Sequence, residues 1–269
     1  MDWSRIKTIF IVTFLLLDVY LIYEFVKLRD LNQFEIPENP TFENQLKAAE
    51  IEYVKMPSGP KHGQYLSATP KKFTNDDLTE EQNGKFKNQN VSISNETTLV
   101  SFFEEPIELN NPIDLQQFTA FIQANILYGN QYRLWEVNQG EITLYQVYND
   151  KPFFNNANGK LTFYLNTDQE IVSYHQTYLE EIEEMTEEDD TLIQPMKALE
   201  SVYNNGDLLP QSKITSVEPG YYTFVQYSTT SQVLTPAWRF LINDEKNVYV
   251  NAFDSKVVQL SEEEKIIVE

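Results

Sequence analysis

The chain of 269 residues is acidic, with 41 Asp and Glu against 20 Lys and Arg and a formal net charge of −21. A hydrophobic content of 41% can build a sizeable core, which excludes a wholly disordered chain. The charge argues against a nucleic-acid-binding protein, because an acidic surface repels phosphate backbones. The absence of cysteine excludes a disulfide scaffold and thiolate chemistry.

The first element in chain order is an apolar segment from Ile6 to Val26, within "MDWSRIKTIFIVTFLLLDVYLIYEFVKLRD". About 20 apolar residues can cross a bilayer as a helix. A cleaved signal peptide is the competing interpretation, but no small-x-small cleavage site follows the apolar run. We therefore interpret the segment as an uncleaved signal anchor. Residues 1–5 are then a cytoplasmic tail, and the acidic body is extracytoplasmic.

Asp18 lies near the middle of this segment, where a carboxylate costs about 2.5–3.5 kcal/mol on insertion scales. One account is a shallow helix in which Asp18 reaches the outer interface. The other is a helix that recognises a partner helix through polar groups. The second account predicts a contact face in the membrane that comprises Ile11, Thr13, Leu15, Leu17, Asp18, Tyr20 and Ile22.

The body mixes helical and strand patterns. The stretch 42–54 has helical spacing, whereas 140–150 and 159–178 alternate between apolar and polar residues, as strands do. The polar run "NTDQE" (166–170) predicts a hairpin turn. An α+β body with antiparallel sheet follows from these patterns.

The body also contains an internal similarity. A shift of 77 residues aligns two segments, each of which begins with a capping residue (Asp114 or Thr191) followed by a helix and strands. The shift aligns Leu115 with Leu192, Ile122 with Leu199, Gly129 with Gly206, Tyr145 with Tyr222, Phe163 with Phe240, Asn166 with Asn243, and Ile171 with Val248. A shift of 72 aligns Ile93 with Leu165 and Leu99 with Ile171. The alignment predicts core positions at Leu115, Ile122, Phe163, Leu199, Trp238 and Phe240.

These patterns predict the organisation of the chain. We expect the following segments: tail 1–5, anchor 6–26, membrane-proximal segment 27–90 as a degenerate repeat, first α+β unit 91–178, and second α+β unit 179–269. We also expect residues 92–269 to remain folded without the anchor.

Residues suited to catalysis are few. His62 lies in a Pro/Gly loop, and Ser173 and His175 would share a strand face without a nucleophile elbow. The pair Glu104 and Glu105 could flank a glycosidic bond, although an acidic chain contains many such pairs. We assign no catalytic, metal-binding or cofactor-binding residue.

The acidic run "LEEIEEMTEEDD" (179–190) is interpreted as a solvated linker before the second helix. A divalent-cation site is the alternative, but the run lacks the spacing of a Ca²⁺-binding loop.

Three stretches resemble the YycI (WalI) family of single-pass membrane proteins: the opening "MDWSRIKTIFIVTFLLLDVYLIYEF", "YLSA" (65–68), and "PAWRFLINDEKNVYVNAFDSKVV" near the end. The resemblance spans essentially the whole chain. It implies a cytoplasmic amino terminus, one transmembrane helix and an extracytoplasmic α+β region related to that of the sister protein YycH.

The resemblance further implies a non-enzymatic role. A YycI-type protein associates in the membrane with YycH and with the WalK sensor histidine kinase, and it modulates signalling that controls cell-wall metabolism. Two alternatives remain from the residues alone: an anchored cell-wall hydrolase that uses a carboxylate pair, or a surface inhibitor or chaperone-like binding module.

Overall fold

The computed structural model describes residues 3–31, 41–78, 85–110, 113–185, 190–225 and 231–258. The chain divides into two compact units, Met1–Glu50 and Ile51–Glu269. Parts of four predicted segments lie outside the described residues: 1–2 of the tail, 32–40 and 79–84 of the membrane-proximal segment, 111–112 of the first unit, and 186–189, 226–230 and 259–269 of the second unit.

The described residues of the first unit form two helices. Helix α1 spans Trp3–Leu31 and helix α2 spans Phe42–Ala48. The helix predicted over 42–54 ends early because the chain turns at Ala49 and Glu50, where Glu50 adopts a left-handed φ of 55°.

The second unit is mostly β-sheet, and the chain is α+β as predicted. Its helices are α3 (Leu115–Asn125) and α4 (Pro195–Asn205). Its strands before α4 are β1 (Glu52–Tyr53), β2 (His62–Gly63), β3 (Leu66–Pro70), β4 (Gln89–Ser94), β5 (Thr98–Ile107), β6 (Tyr132–Asn138), β7 (Glu141–Tyr148), β8 (Lys151–Phe154), β9 (Lys160–Leu165), β10 (Ile171–Gln176), β11 (Leu179–Glu184) and β12 (Asp190–Thr191). Its last strands are β13 (Lys213–Val225), β14 (Gln232–Ile242) and β15 (Lys246–Asn251).

Six strands form the first half of the main sheet, in the antiparallel order β4-β5-β10-β9-β7-β6. Helix α3 packs on one face of this half. Phe118 and Ile122 of the helix enter a core with Phe163 and Tyr174 of the strands. The Phe118 and Phe163 rings meet edge to face with centroids 5.8 Å apart, a favourable aromatic geometry.

The second half is built around the long strands β13 and β14. Strand β14 pairs with β13 on one side and with β3 and β15 on the other, and β11 pairs with β3. Helix α4 contacts β14 and β15. Strand β3 lies within the predicted membrane-proximal segment 27–90, so residues 66–70 of that segment contribute directly to this half of the sheet.

The two halves join through β8, which pairs antiparallel with β7 and parallel with β13. Two buried amides reinforce this junction. Gln146 of β7 both donates to and accepts from the backbone of Leu179, at 2.8 Å each. Asn156 donates to Thr223 (2.8 Å) and to Gln232 (2.9 Å). Leaving such buried amides unpaired would be costly, so these bonds fix how the halves meet.

The structure agrees with the predicted internal alignment at some positions and departs from it at others. Ile93 opposes Leu99 in the β4–β5 hairpin just as Leu165 opposes Ile171 in the β9–β10 hairpin. The constant shift of 77 does not continue past the last turn, because residues 243–245 join β14 to β15 whereas 166–170 join β9 to β10. The duplication and the domain boundaries stay predictions.

The two predicted helix-capping residues have different outcomes. Asp114 caps α3 as predicted, by accepting from the backbone of Gln116 and Gln117. Thr191 lies in β12 instead, and the residue before α4 is Gln194, whose side chain makes no capping hydrogen bond. Pro195 at the first position of α4 is the signal that marks this start.

The acidic run is also different from the expected linker. Residues 179–184 form β11 and pair with β3. The strand is a charged edge of the sheet, which accounts for its glutamates without a cation.

Five of the six expected core residues are buried, and Leu115 is wrong because it lies 61% exposed at the start of α3. The five confirmed positions are Ile122, Phe163, Leu199, Trp238 and Phe240.

Candidate functional site

The predicted contact face lies on α1, which is continuous across all of its residues. Ile11, Leu15, Asp18 and Ile22 fall on one side of the helix because they recur at intervals of three and four residues. The seven side chains of the face are exposed, and Ile11 is 66% exposed. Within the described residues, no helix is long and apolar enough to cross a membrane.

The polar members of this face differ in how they are satisfied. The Thr13 hydroxyl donates to the Ile9 carbonyl at 2.8 Å, so it is already paired within the helix. Asp18 has no hydrogen-bond or ion-pair partner within the part of the chain that the structure describes. Asp18 is therefore a polar group of the face that is available to a partner.

Ser173 and His175 lie on the same face of β10, as the alternation predicts. Ser173 is opposite Phe102 and Tyr164, and His175 is opposite Val100 and Thr162. His175 Nδ1 lies 3.4 Å from the hydroxyl of Tyr164, and no Ser173–His175 hydrogen bond occurs among the described residues. A nucleophile and its base need a direct hydrogen bond, so this pair does not form a catalytic dyad.

The remaining catalytic candidates are surface residues of two strands. His62 is exposed in β2, and Glu104 and Glu105 are consecutive exposed residues of β5. Among the described residues, no group of three or more His, Asp or Glu side chains could hold a metal ion.

A polar cluster joins the two halves of the sheet around Glu218 of β13. Its carboxylate accepts from Arg239 (2.7 Å) and Arg133 (2.6 Å), and Arg239 also donates to Asn247 (2.6 Å). The Arg239 guanidinium stacks 4.1 Å from the Trp135 ring centroid. Two nitrogens of the Arg239 guanidinium and one of its faces are thus engaged, and Arg239 connects β14 with β13, β15 and β6. Sequence reasoning missed this cluster, since its members lie on four distant strands.

A second cluster surrounds Lys71, immediately after β3. The ammonium contacts Glu180 at 3.2 Å and Asp77 at 3.3 Å. Burial lowers the pKa of Lys71, but the hydrogen bond to Glu180 and the nearby carboxylates outweigh burial and raise the pKa overall. Burial raises the pKa of Asp77, whereas hydrogen bonds from Thr74 and the charge of Lys71 lower it below its usual value. This cluster also connects the two halves, through Lys71 and the Tyr128 ring 5.9 Å away.

A small cleft of about 180 Å³ lies between the end of β5 and α3. Its apolar walls are Ile107, Leu109, Ile113, Phe118 and Phe121. Pockets for drug-sized ligands are usually at least about 300 Å³, so this cleft is too small for a ligand of that size.

Comparisons with known proteins indicate what the chain resembles. Among solved structures, the Bacillus megaterium YpeB C-terminal domain is similar, with 11% sequence identity and a TM-score of 0.39 over 71% of this chain and 99% of that chain. That TM-score is too low to support an argument about fold or function. No curated protein matches the chain. A family model described as "YycI protein" matches residues 31–253. Because that match covers well over half of the sequence, the chain belongs to the YycI family.

Proposed function

We propose that this protein is a non-enzymatic, membrane-anchored regulator that acts with a YycH-type sister on a WalK-type sensor histidine kinase controlling cell-wall metabolism. The observation that carries the proposal is the family match over residues 31–253, because the YycI family is a family of regulatory proteins. The kinase, the sister protein and the cell-wall pathway come from the resemblance of the sequence to that family.

The anchor is the membrane-contacting element of this proposal. Residues 6–26 are predominantly apolar, and large hydrophobic side chains from Ile9 to Tyr23 are exposed on α1. Such a surface is unfavourable in water and favourable in lipid or against another apolar helix. We propose an orientation with residues 1–5 inside the cell and the body outside.

Association with the kinase is tested on the full-length protein in mild detergent. We expect a tagged chain to co-purify with both a YycH-type protein and a WalK-type kinase. All three proteins must be expressed at normal levels. Recovery of the tagged chain without the kinase and without the YycH-type protein would then contradict the proposal.

The orientation is tested by cysteine labelling, because the natural chain contains no cysteine. In intact cells, a membrane-impermeant maleimide should label an Asn204→Cys variant, whose residue is exposed on α4. A Ser4→Cys variant should react only after the membrane is opened. The reverse labelling pattern would invert the proposed topology.

A further inference from the structure

The cleft between β5 and α3 has the size and lining of a pocket for one apolar side chain. Its apolar lining comes from the end of β5 and the chain that leads to α3 (Ile107, Leu109 and Ile113) and from α3 itself (Phe118 and Phe121). Its volume is about 180 Å³. A cavity of about 150 Å³ with such a lining holds one benzene ring. The cleft therefore matches a single phenylalanine or leucine side chain.

The lining of the cleft is held in place by contacts within the body. The Phe163 ring centroid lies 5.8 Å from that of Phe118 and 6.2 Å from that of Phe121. The Asn110 side chain donates to Gln117 at 2.7 Å, which ties the chain after β5 to α3. Because these walls are already ordered, a bound side chain loses little of its contact energy to ordering the pocket.

The exposed surface of α3 carries no charge. The helix, LQQFTAFIQAN, contains no Asp, Glu, Lys or Arg, although these residues make up 23% of the chain. Helix α4, of the same length, contains both a lysine and a glutamate. Leu115 at the start of α3 is 61% exposed, and Gln116, Thr119, Ala120 and Gln123 are exposed as well. An exposed apolar side chain on a surface depleted of charge is typical of the centre of a protein-binding surface.

Carboxylates lie at the margin of the cleft. Glu108 lines it, and Glu105 and Glu104 precede Glu108 by three and four residues, so their Cα atoms lie at most about 14 Å from that of Glu108. A bulge separates this segment from the regular sheet, since four residues of β5 between Phe102 and Ile107 face a single residue of β10. Among the described residues, none of the three carboxylates forms an ion pair. Their uncompensated charge attracts a cationic group.

We propose that the cleft binds one apolar side chain of a basic segment from another protein. The apolar lining takes a side chain of the size of phenylalanine or leucine, and lysine or arginine residues next to it pair with Glu108, Glu105 and Glu104. The burial supplies affinity, and the rim charge supplies selectivity for basic segments over the acidic ones that this chain itself contains. This site lies on the body, so it is separate from the contact face of α1.

Peptide binding to the full-length chain in nanodiscs of zwitterionic lipid tests this site. The probe is a dye-labelled peptide with one phenylalanine flanked on each side by lysines. Fluorescence anisotropy measures its affinity, with empty nanodiscs as the blank. Replacing the phenylalanine of the peptide by serine should weaken binding at least about tenfold, because that side chain fills the pocket. A peptide flanked by glutamates should also bind at least about tenfold more weakly.

Matched variants of the chain locate the binding to the cleft. Gln117 and Gln123 are both exposed on α3, but only Gln117 lines the cleft. Gln117→Trp should block the cleft and weaken binding at least about tenfold, whereas Gln123→Trp should change the affinity by less than about twofold. Glu108→Gln should weaken binding about two- to fivefold and reduce its dependence on salt. All three side chains are exposed, so the melting temperatures should stay close to that of the wild type.

Three results would overturn the proposal. One is equal affinity of the peptide for the wild-type chain and for Gln117→Trp. Another is equal affinity of the phenylalanine and serine peptides, which would leave only attraction between opposite charges. The third is displacement of the probe by benzylamine as readily as by unlabelled peptide, which would assign the cleft to a small amine. The peptide series decides the question even if Gln117→Trp does not fold, and none of these results bears on association with the kinase.

Discussion

Individual side chains determine how firmly the body is held together. Phe163 and Phe240, which the predicted shift of 77 residues aligns, are both fully buried. Truncating either to alanine should cost about 3–5 kcal/mol, because lost transfer energy and the remaining cavity both destabilise the fold. Thermal unfolding measures the effect. Leu115→Ala is the matched control, and its exposed side chain should change stability by less than about 0.5 kcal/mol. Equal melting temperatures for all three variants would contradict the described core.

The carboxylate of Asp77 provides a prediction on pH. Its pKa lies below the usual 3.8 in the folded state, so it contributes stability above that value and loses this contribution as the pH falls through the folded pKa. The wild-type chain should therefore be more stable than Asp77→Asn at about pH 6, and the difference should shrink toward about pH 3. The control Asp168→Asn changes an exposed carboxylate in the β9–β10 turn. A difference in stability between wild type and Asp77→Asn that does not change with pH would contradict the lowered pKa of Asp77.

At the scale of elements, α1 is the feature on which the proposed regulation depends most. Its contact face combines apolar side chains with Asp18, and interhelical hydrogen bonds in membranes are worth about 0.6–2 kcal/mol each. A partner helix that donates a hydrogen bond to this carboxylate would bind α1 more tightly than a generic apolar anchor.

Replacing residues 8–23 with an unrelated apolar anchor of equal length should leave export and body folding intact while it weakens kinase association. Asp18→Leu should have a milder effect of the same sign, since it removes one polar contact. Co-purification of the kinase, normalised to surface abundance, is the measurement. Normal regulation by the swapped protein would show that the helix is only a tether and that the contacts lie in the body.

The elements also show what sequence patterns can and cannot predict. Alternation and turn residues correctly locate β7, β9 and β10, because hairpins are specified locally. The pairing of β11 with β3 joins residues more than 100 positions apart, and no local pattern encodes it. The contact face of α1 came from helical spacing alone, whereas the Glu218 cluster required the strand order.

At the scale of the whole molecule, the position of β3 determines which truncated fragments of the body keep the complete sheet. Residues 92–269 lack β3, which lies between β11 and β14, and they lack half of β4. This differs from the stable fragment that the sequence suggests. Two fully buried side chains, Leu66 and Ala68, would be lost with β3.

We therefore expect the fragment 92–269 to melt at a much lower temperature than 51–269, or without a cooperative transition. Circular dichroism during heating makes the comparison directly. Indistinguishable melting curves for the two fragments would show that β3 is dispensable to the second half of the sheet.

The three tryptophans of the chain lie in three different surroundings, which makes the protein its own spectroscopic reporter. Trp3 is exposed on α1, Trp135 stacks against the Arg239 cation, and Trp238 is buried and donates its indole N–H to Ile193 at 2.9 Å. Variants that keep one tryptophan each should therefore emit at distinct wavelengths, with Trp238 the most blue-shifted. Fluorescence could then follow the amino-terminal helix, the junction and the second core separately, without an attached dye.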